Sequence, residues 1–241
     1  MYNGIYSGYG MFWDPTYIFV IIGFVLCLGA SALVKSAFHK YSRIRNRAGI
    51  TGAEAAERIL RSAGISDVEI VRVSGSLTDH YNPLTKKVAL SDEVYDMASV
   101  AAVGIAAHEC GHVIQHQKGF IPIKIRSAVA PVASIASRLY WIVFIIGFFI
   151  NGKSGTMLIN AGILMFLATL VFQVVTLPVE LDASRRATIV LESAGILGDE
   201  EIVYTKKVLG AAALTYIAGV ASSLLQLLRL LIIAGGRRSD D

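Results

Sequence analysis

The sequence is poor in charge, in cysteine and in proline, and each shortage removes a class of protein. Of 241 residues only 17% are charged while 54% are apolar, whereas a soluble domain carries about 25% charged residues. A disordered chain would be far poorer in apolar residues. Two cysteines, Cys27 and Cys110, cannot build a disulfide framework. Five prolines and 22 glycines are too few for a collagen repeat. No period of about 20–50 residues points to a solenoid, and no lipidation motif occurs. What the chain has instead is apolar blocks almost free of charge, at residues 17–34, 139–150, 156–177 and 208–228. A membrane span needs about 20 apolar residues at about 1.5 Å of rise each. The composition therefore predicts a mainly α integral membrane protein with about four transmembrane helices and a modest water-facing domain.

A net charge of +4 in such a chain reports which loops stay in the cytoplasm before it reports an affinity for nucleic acid, and no nucleic-acid partner is expected. Eighteen of the 22 Lys and Arg residues fall within 35–138 and 178–207, and none occurs before Lys35. This bias predicts an outward-facing segment 1–16, an uncleaved first span at 17–34, further spans at 129–150, 156–177 and 208–234, and cytoplasmic segments at 35–128 and 178–207. The run 139–150 is too short to span alone, so the second helix reaches back past Arg138. Arg138 and Arg229 are expected to snorkel to headgroups from near helix ends.

In the first cytoplasmic segment, Thr51-Gly-Ala-Glu54 reads as a capping box opening an amphipathic helix that Gly64 closes. Val68–Val73 and Lys87–Leu90 read as a strand pair, with Gly75 and Asn82-Pro83 as turn signals. Either strand is a candidate open edge for an extended peptide. Ser91 with Asp92 and Glu93 is expected to cap one helix running through to Gln117.

That helix holds the chemistry. His108-Glu109-Cys110-Gly111-His112 is an H-E-x-x-H run, which puts two imidazoles one turn apart on one face. Zinc suits imidazole and keeps an open position beside three protein ligands in catalytic sites. Glu109 lies about 100° round the helix and reaches the activated water, as general base, rather than the metal. His116 is about 12 Å from His108 along the axis, so it is expected beside the site, not on the ion. Gly111 is expected to leave room beside the ion, and Cys110 to be a buried thiol.

The third ligand must come from elsewhere, and the expected source is Leu-Pro-Val-Glu-Leu-Asp-Ala-Ser-Arg-Arg, 177–186. Pro178 should kink or restart the chain. Glu180, Ala183, Ser184 and Ala187 then share one helical face able to lie against the small-residue face of the H-E-x-x-H helix. Glu180 is the expected ligand, with Asp182 as the alternative and Ser184 as a hydrogen-bonding support. His80, Tyr81, Arg185 and Arg186 are the candidate oxyanion donors.

The motifs HECGHVIQHQ, SGSLTDHYNP…KVALSDEVY and PVELDASRRA resemble those of the YugP-type membrane zinc metallopeptidases of bacteria, over nearly the whole chain. More distantly, His108, Glu109, His112 and Glu180 are similar to the pattern of the HtpX-like and CAAX-processing peptidases, except that those families carry Asp where this chain has Ser184. The resemblance implies a small α+β zincin-like cytoplasmic domain carrying H-E-x-x-H, with one Zn2+ per chain. It also implies a multi-pass protein of the bacterial cell membrane that cleaves a protein or peptide substrate, as an endopeptidase, at the cytoplasmic face. The expected mechanism has zinc lower the pKa of a water, Glu109 take its proton, and Glu109 return that proton to the leaving amine.

Two rivals stand beside it. One is an intramembrane, site-2-like protease using Asp182, disfavoured because Asp92, Glu93 and Asp96 before the motif and Lys118 after it leave too short an apolar run to span. The other is a non-catalytic zinc-binding scaffold, which would not need Glu109. Oligomeric state is left open, although the small residues at 210–223 allow close helix packing.

Overall fold

The computed structural model describes residues 14–238, so most of the expected outward-facing segment 1–16 lies outside the described residues. Its elements in chain order are α1 (Tyr17–Tyr41), α2 (Gly52–Ser62), β1 (Glu69–Val73), β2 (His80–Asn82), β3 (Lys87–Ser91), α3 (Asp92–Tyr95), α4 (Val100–Gln117), α5 (Ile121–Phe149), α6 (Gly152–Ser193) and α7 (Asp199–Arg238). Helix dominates, with one small sheet. Four of the described helices, α1, α5, α6 and α7, are long and apolar enough to cross a membrane. Even the shortest, α1 with 25 residues, rises about 37 Å against a hydrocarbon core of roughly 30 Å. The chain forms two compact units. One draws on the described parts of Met1–Gly29, Ser127–Val174 and Tyr216–Asp241, the other on Ala30–Arg126 and Val175–Thr215.

In the first unit small residues set the helix approach. A side chain at Gly23 would meet the hydroxyl of Ser222 at 2.5 Å, and one at Gly162 would press on Phe144. Ser223 donates to the amide oxygen of Gln173 at 2.9 Å. Arg138 is exposed on α5. Arg229 departs from its expected snorkelling position. It is 4% exposed, Nη2 lies 3.1 Å from Asp14, and the guanidinium stacks 4.4 Å from the Tyr17 ring centre. A carboxylate and an aromatic face near the start of α1 draw the cation inward, so it does not need headgroups.

The second unit is an α+β layer around Ile59, Leu90, Val94, Val100, Val103, Val113 and Leu191, all fully buried. The Thr51 hydroxyl accepts from the Glu54 amide and the Glu54 carboxylate accepts from the Thr51 amide, completing the expected capping box of α2. The sheet has order β1-β3-β2. β1 runs parallel to β3 and β2 antiparallel to it. The two expected strands therefore do pair, but β3 is central and flanked on both sides, so the Val88 strand offers no open edge. The third strand, His80–Asn82, returns through a turn in which the Asn82 carboxamide oxygen accepts from the amides of Leu84 and Thr85.

The single helix expected from Ser91 to Gln117 is two. Ser91 makes no side-chain cap bond, and α3 ends after one turn. Ser99, whose hydroxyl accepts from the Ala102 amide at 3.1 Å, opens α4 afresh. The Ser91 hydroxyl donates to Asp79 instead. Nor does Pro178 restart the chain: α6 runs through it. Proline removes one amide donor, which a long helix with neighbours on its sides tolerates.

Candidate metal centre

α4 and the later part of α6 build the site, and small residues let them meet. Ala183 and Ala187 are fully buried, and a side chain at Gly111 would come within 2.6 Å of the Ala183 carbonyl oxygen. Gly111 thus makes room for the backbone of α6, not for an ion beside the motif.

This contact sets Glu180 opposite the two imidazoles. Its Oε2 lies 3.3 Å from Nε2 of His108 and 3.5 Å from Nε2 of His112. The donor atoms of His108, His112 and Glu180 all fall within 4.8 Å of one another. Ligands at about 2.0–2.1 Å from a tetrahedral zinc stand about 3.3 Å apart, close to the two distances from Glu180 to the imidazoles. Two neutral imidazoles and a carboxylate are also the donor chemistry that zinc favours. All three side chains are largely buried, at 14%, 10% and 4% exposure, which keeps competing water away.

What lies behind each donor fixes its direction. Nδ1 of His108 is 3.1 Å from the Ser184 hydroxyl. Nδ1 of His112 is 3.0 Å from the carboxamide oxygen of Gln115. The other carboxylate oxygen of Glu180 is 3.4 Å from Arg126, leaving Oε2 to face the imidazoles. The His112 pKa rises above the ordinary histidine value. Burial, the strongest influence, pulls it down, but the hydrogen bond to Glu180 and the charges of Glu109 and Glu180 overcome that. A site that attracts a proton to this ring attracts a cation to it as well, and acid competes with metal there.

Glu109 is 8% exposed on α4 next to His108. Cys110 points to the opposite side, its thiol 3.8 Å from the Ala56 carbonyl oxygen and its pKa pushed far up by burial. Asp182, the alternative ligand, is not in the donor group. Its carboxylate accepts from Gln115 at 2.9 Å and from Nε of Arg186.

The remaining expected residues fall into two sets. His116 sits a turn beyond His112, its ring edge against Tyr81 at 5.6 Å. Burial, then the charges of His112 and Arg126, lower its pKa. The other set is turned elsewhere. Nδ1 of His80 faces the Thr78 carbonyl at 2.9 Å, Arg185 is exposed, and Arg186 is committed to Asp182. Among the described residues no hydrogen bond or ion pair joins His80 or Arg185 to the donor group. Sequence reasoning passed over Arg126 and Gln115. Arg126 is one basic residue among many and carries no signal. Gln115 carried one, since it lies three residues after His112 on the same helical face.

Residues 16–235 match the model of the family described as "Putative neutral zinc metallopeptidase". The chain belongs to this family. It is 41% identical over 226 residues to the "Putative membrane protease YugP" of Bacillus subtilis (strain 168), covering 93% of this chain and 99% of that protein. No solved structure matches the chain. Membership implies a zinc ion, and the donor set above is of the kind that holds one.

Proposed function

We propose that this protein is a membrane-bound zinc endopeptidase that hydrolyses peptide bonds in the cytoplasm, at the membrane surface, with one Zn2+ per chain held by His108, His112 and Glu180. The observation that carries the reading is the convergence of these three donors from two distant helices on the helix that also presents Glu109.

A zinc ion there would supply Lewis-acid activation of water and of the scissile carbonyl. The chain's own residues do the rest. Glu109 accepts the proton of the attacking water and returns it to the leaving amine. Arg126 balances the charge on Glu180 and keeps one of its oxygens turned inward. Ser184 and Gln115 orient the two imidazoles. Burial keeps bulk water from the donors and strengthens each of these interactions. A substrate-accessible donor for the oxyanion is best sought at His116 and Tyr81, on the side of α4 that faces β2.

The cytoplasmic placement rests on the Lys and Arg bias of segments 35–138 and 178–207. The partners are the lipid bilayer of a bacterial cell and a protein or peptide substrate. The scaffold alternative is disfavoured by the buried acid at position 109, to which no hydrogen bond or ion pair is made among the described residues.

Metal analysis and proteolysis test the proposal together. Wild-type protein should hold about one zinc that His112→Ala loses. Glu109→Gln should keep the zinc and lose cleavage of an unstructured test protein. Equal metal content in wild type and His112→Ala would sink the metal reading, and full activity in Glu109→Gln would sink the mechanism. Reporter fusions after Lys118 and Arg186 should both report cytoplasm.

A further inference from the structure

Gln115 is completely buried on α4, one turn beyond His112. Its amide nitrogen lies 2.8 Å from the Val179 carbonyl oxygen and 2.9 Å from the Asp182 carboxylate. Both neighbours are acceptors, so the carboxamide can sit only one way round, with NH2 toward α6 and oxygen toward α4. That oxygen is 3.0 Å from Nδ1 of His112. An oxygen acceptor there requires His112 to carry its proton on Nδ1, which leaves the Nε2 lone pair pointing at the Glu180 carboxylate and the space between them. Behind Gln115, Asp182 is held by Nε of Arg186, and the Arg186 guanidinium lies 5.5 Å from the Phe120 ring centre. Donor and acceptor alternate without a break from Arg186 through Asp182 and Gln115 to the imidazole.

We infer that Gln115 is a positioning residue for the metal centre: it selects the tautomer and ring orientation of His112, with Asp182 and Arg186 holding its carboxamide in the one productive direction. The inference rests on the zinc reading above and extends it, turning the Leu-Asp acid from an alternative ligand into a support for one. A neutral amide as the acceptor also distinguishes the two imidazoles. His112 is oriented by a group that cannot be inverted, whereas the Ser184 hydroxyl beside His108 can rotate either way. The ring of His112 is thereby fixed before an ion arrives.

The test uses the full-length protein in detergent, with zinc affinity measured by chelator competition and the coordination sphere read from the visible spectrum of the cobalt-substituted protein. Gln115→Leu should weaken zinc binding about 10–100-fold and broaden the cobalt bands. Gln115→Glu keeps an acceptor for His112 but sets a carboxylate against Asp182 and the Val179 carbonyl, and should also bind weakly. Gln115→Glu combined with Asp182→Asn repairs one of the two lost contacts, because the new amide donates to the new carboxylate while the Val179 carbonyl stays opposed, and should recover part of the affinity that Gln115→Glu loses. This rescue keeps the inference testable even where Gln115→Leu fails to fold. A folded Gln115→Leu with wild-type affinity and spectrum overturns it, as does a double variant no better than Gln115→Glu alone. A wild-type protein that takes up no zinc overturns the metal reading itself, which is a different result from wild-type uptake that is insensitive to position 115.

Discussion

The hydroxyl of Ser184 lies 3.1 Å from Nδ1 of His108, bridging α6 and α4 on the ring edge away from the nitrogen that faces Glu180. Ser184 occupies the position where the more distant peptidase families carry an aspartate. A hydroxyl there orients the ring but adds no negative charge, so His108 is a less basic donor than an imidazole backed by a carboxylate. Ser184→Ala should lower zinc affinity about tenfold, and Ser184→Thr, which keeps the hydroxyl, should restore most of it. Chelator competition measures both, and an unchanged affinity in Ser184→Ala would show that the bond does not support the ring.

Gly111 predicts a steric effect of known direction. Its missing side chain admits the Ala183 carbonyl, which is backbone and has no rotamer to move. Gly111→Ala should push α4 and α6 apart at the level of Glu180, costing roughly 1–3 kcal/mol in stability and weakening metal uptake at the same time. Thermal melting and metal analysis of one preparation check the two together. A variant that loses neither would mean the helices are free to slide.

The pairing of Arg229 with Asp14 should be asymmetric under mutation. Arg229 is the more enclosed partner, with a side chain 5% exposed against 17% for Asp14, and its Nε is buried without a hydrogen-bond partner among the described residues. Asp14→Ala leaves an uncompensated buried cation and should cost roughly 3 kcal/mol. Arg229→Met removes the cation, keeps the aliphatic stem against Tyr17, and should cost less. The double variant should recover much of the loss. Melting temperatures in a single detergent decide this, and equal losses from both single variants would refute the asymmetry.

Asp79 offers a test by pH. Burial, the strongest influence, raises its carboxyl above the ordinary 3.8 although it accepts from the amide and hydroxyl of Ser91. The folded state therefore binds this proton more readily than the unfolded chain. The charge subtracts from stability at pH above the raised value, and the penalty disappears as pH falls through it toward the ordinary one. Asp79→Asn keeps an oxygen for Ser91 and removes the charge. It should melt higher than wild type at neutral pH, with the gap closing on acidification. A lower melting temperature at neutral pH would show that Ser91 requires the carboxylate.

Much of this protein was legible from residue order because its strongest signals are local. The capping box of α2 is one: the four residues that make it are contiguous, and their hydrogen bonds form wherever the helix goes. Apolar blocks of membrane length and the H-E-x-x-H pair on one helical face are others. The errors came where a local preference met a distant competitor. Ser91 looks like the cap of the long helix, but its hydroxyl donates to Asp79 across the turn, α3 ends after one turn, and the long helix is capped by Ser99 instead. Arg229 looks like a snorkelling cation until Asp14, more than two hundred residues earlier, is brought beside it.

The sequence by itself determined four apolar helices and the imidazole pair with its neighbouring acid, since each is written in spacing along one stretch of chain. Only the tertiary structure decided between Glu180 and Asp182 as the acid that faces the imidazoles. The two lie two residues apart on nearly opposite sides of one helix, and sequence spacing leaves the rotation of that helix free. The close approach of Gly111 to the Ala183 carbonyl fixes the rotation: it turns Glu180 toward His108 and His112, and turns Asp182 toward Gln115 and Arg186.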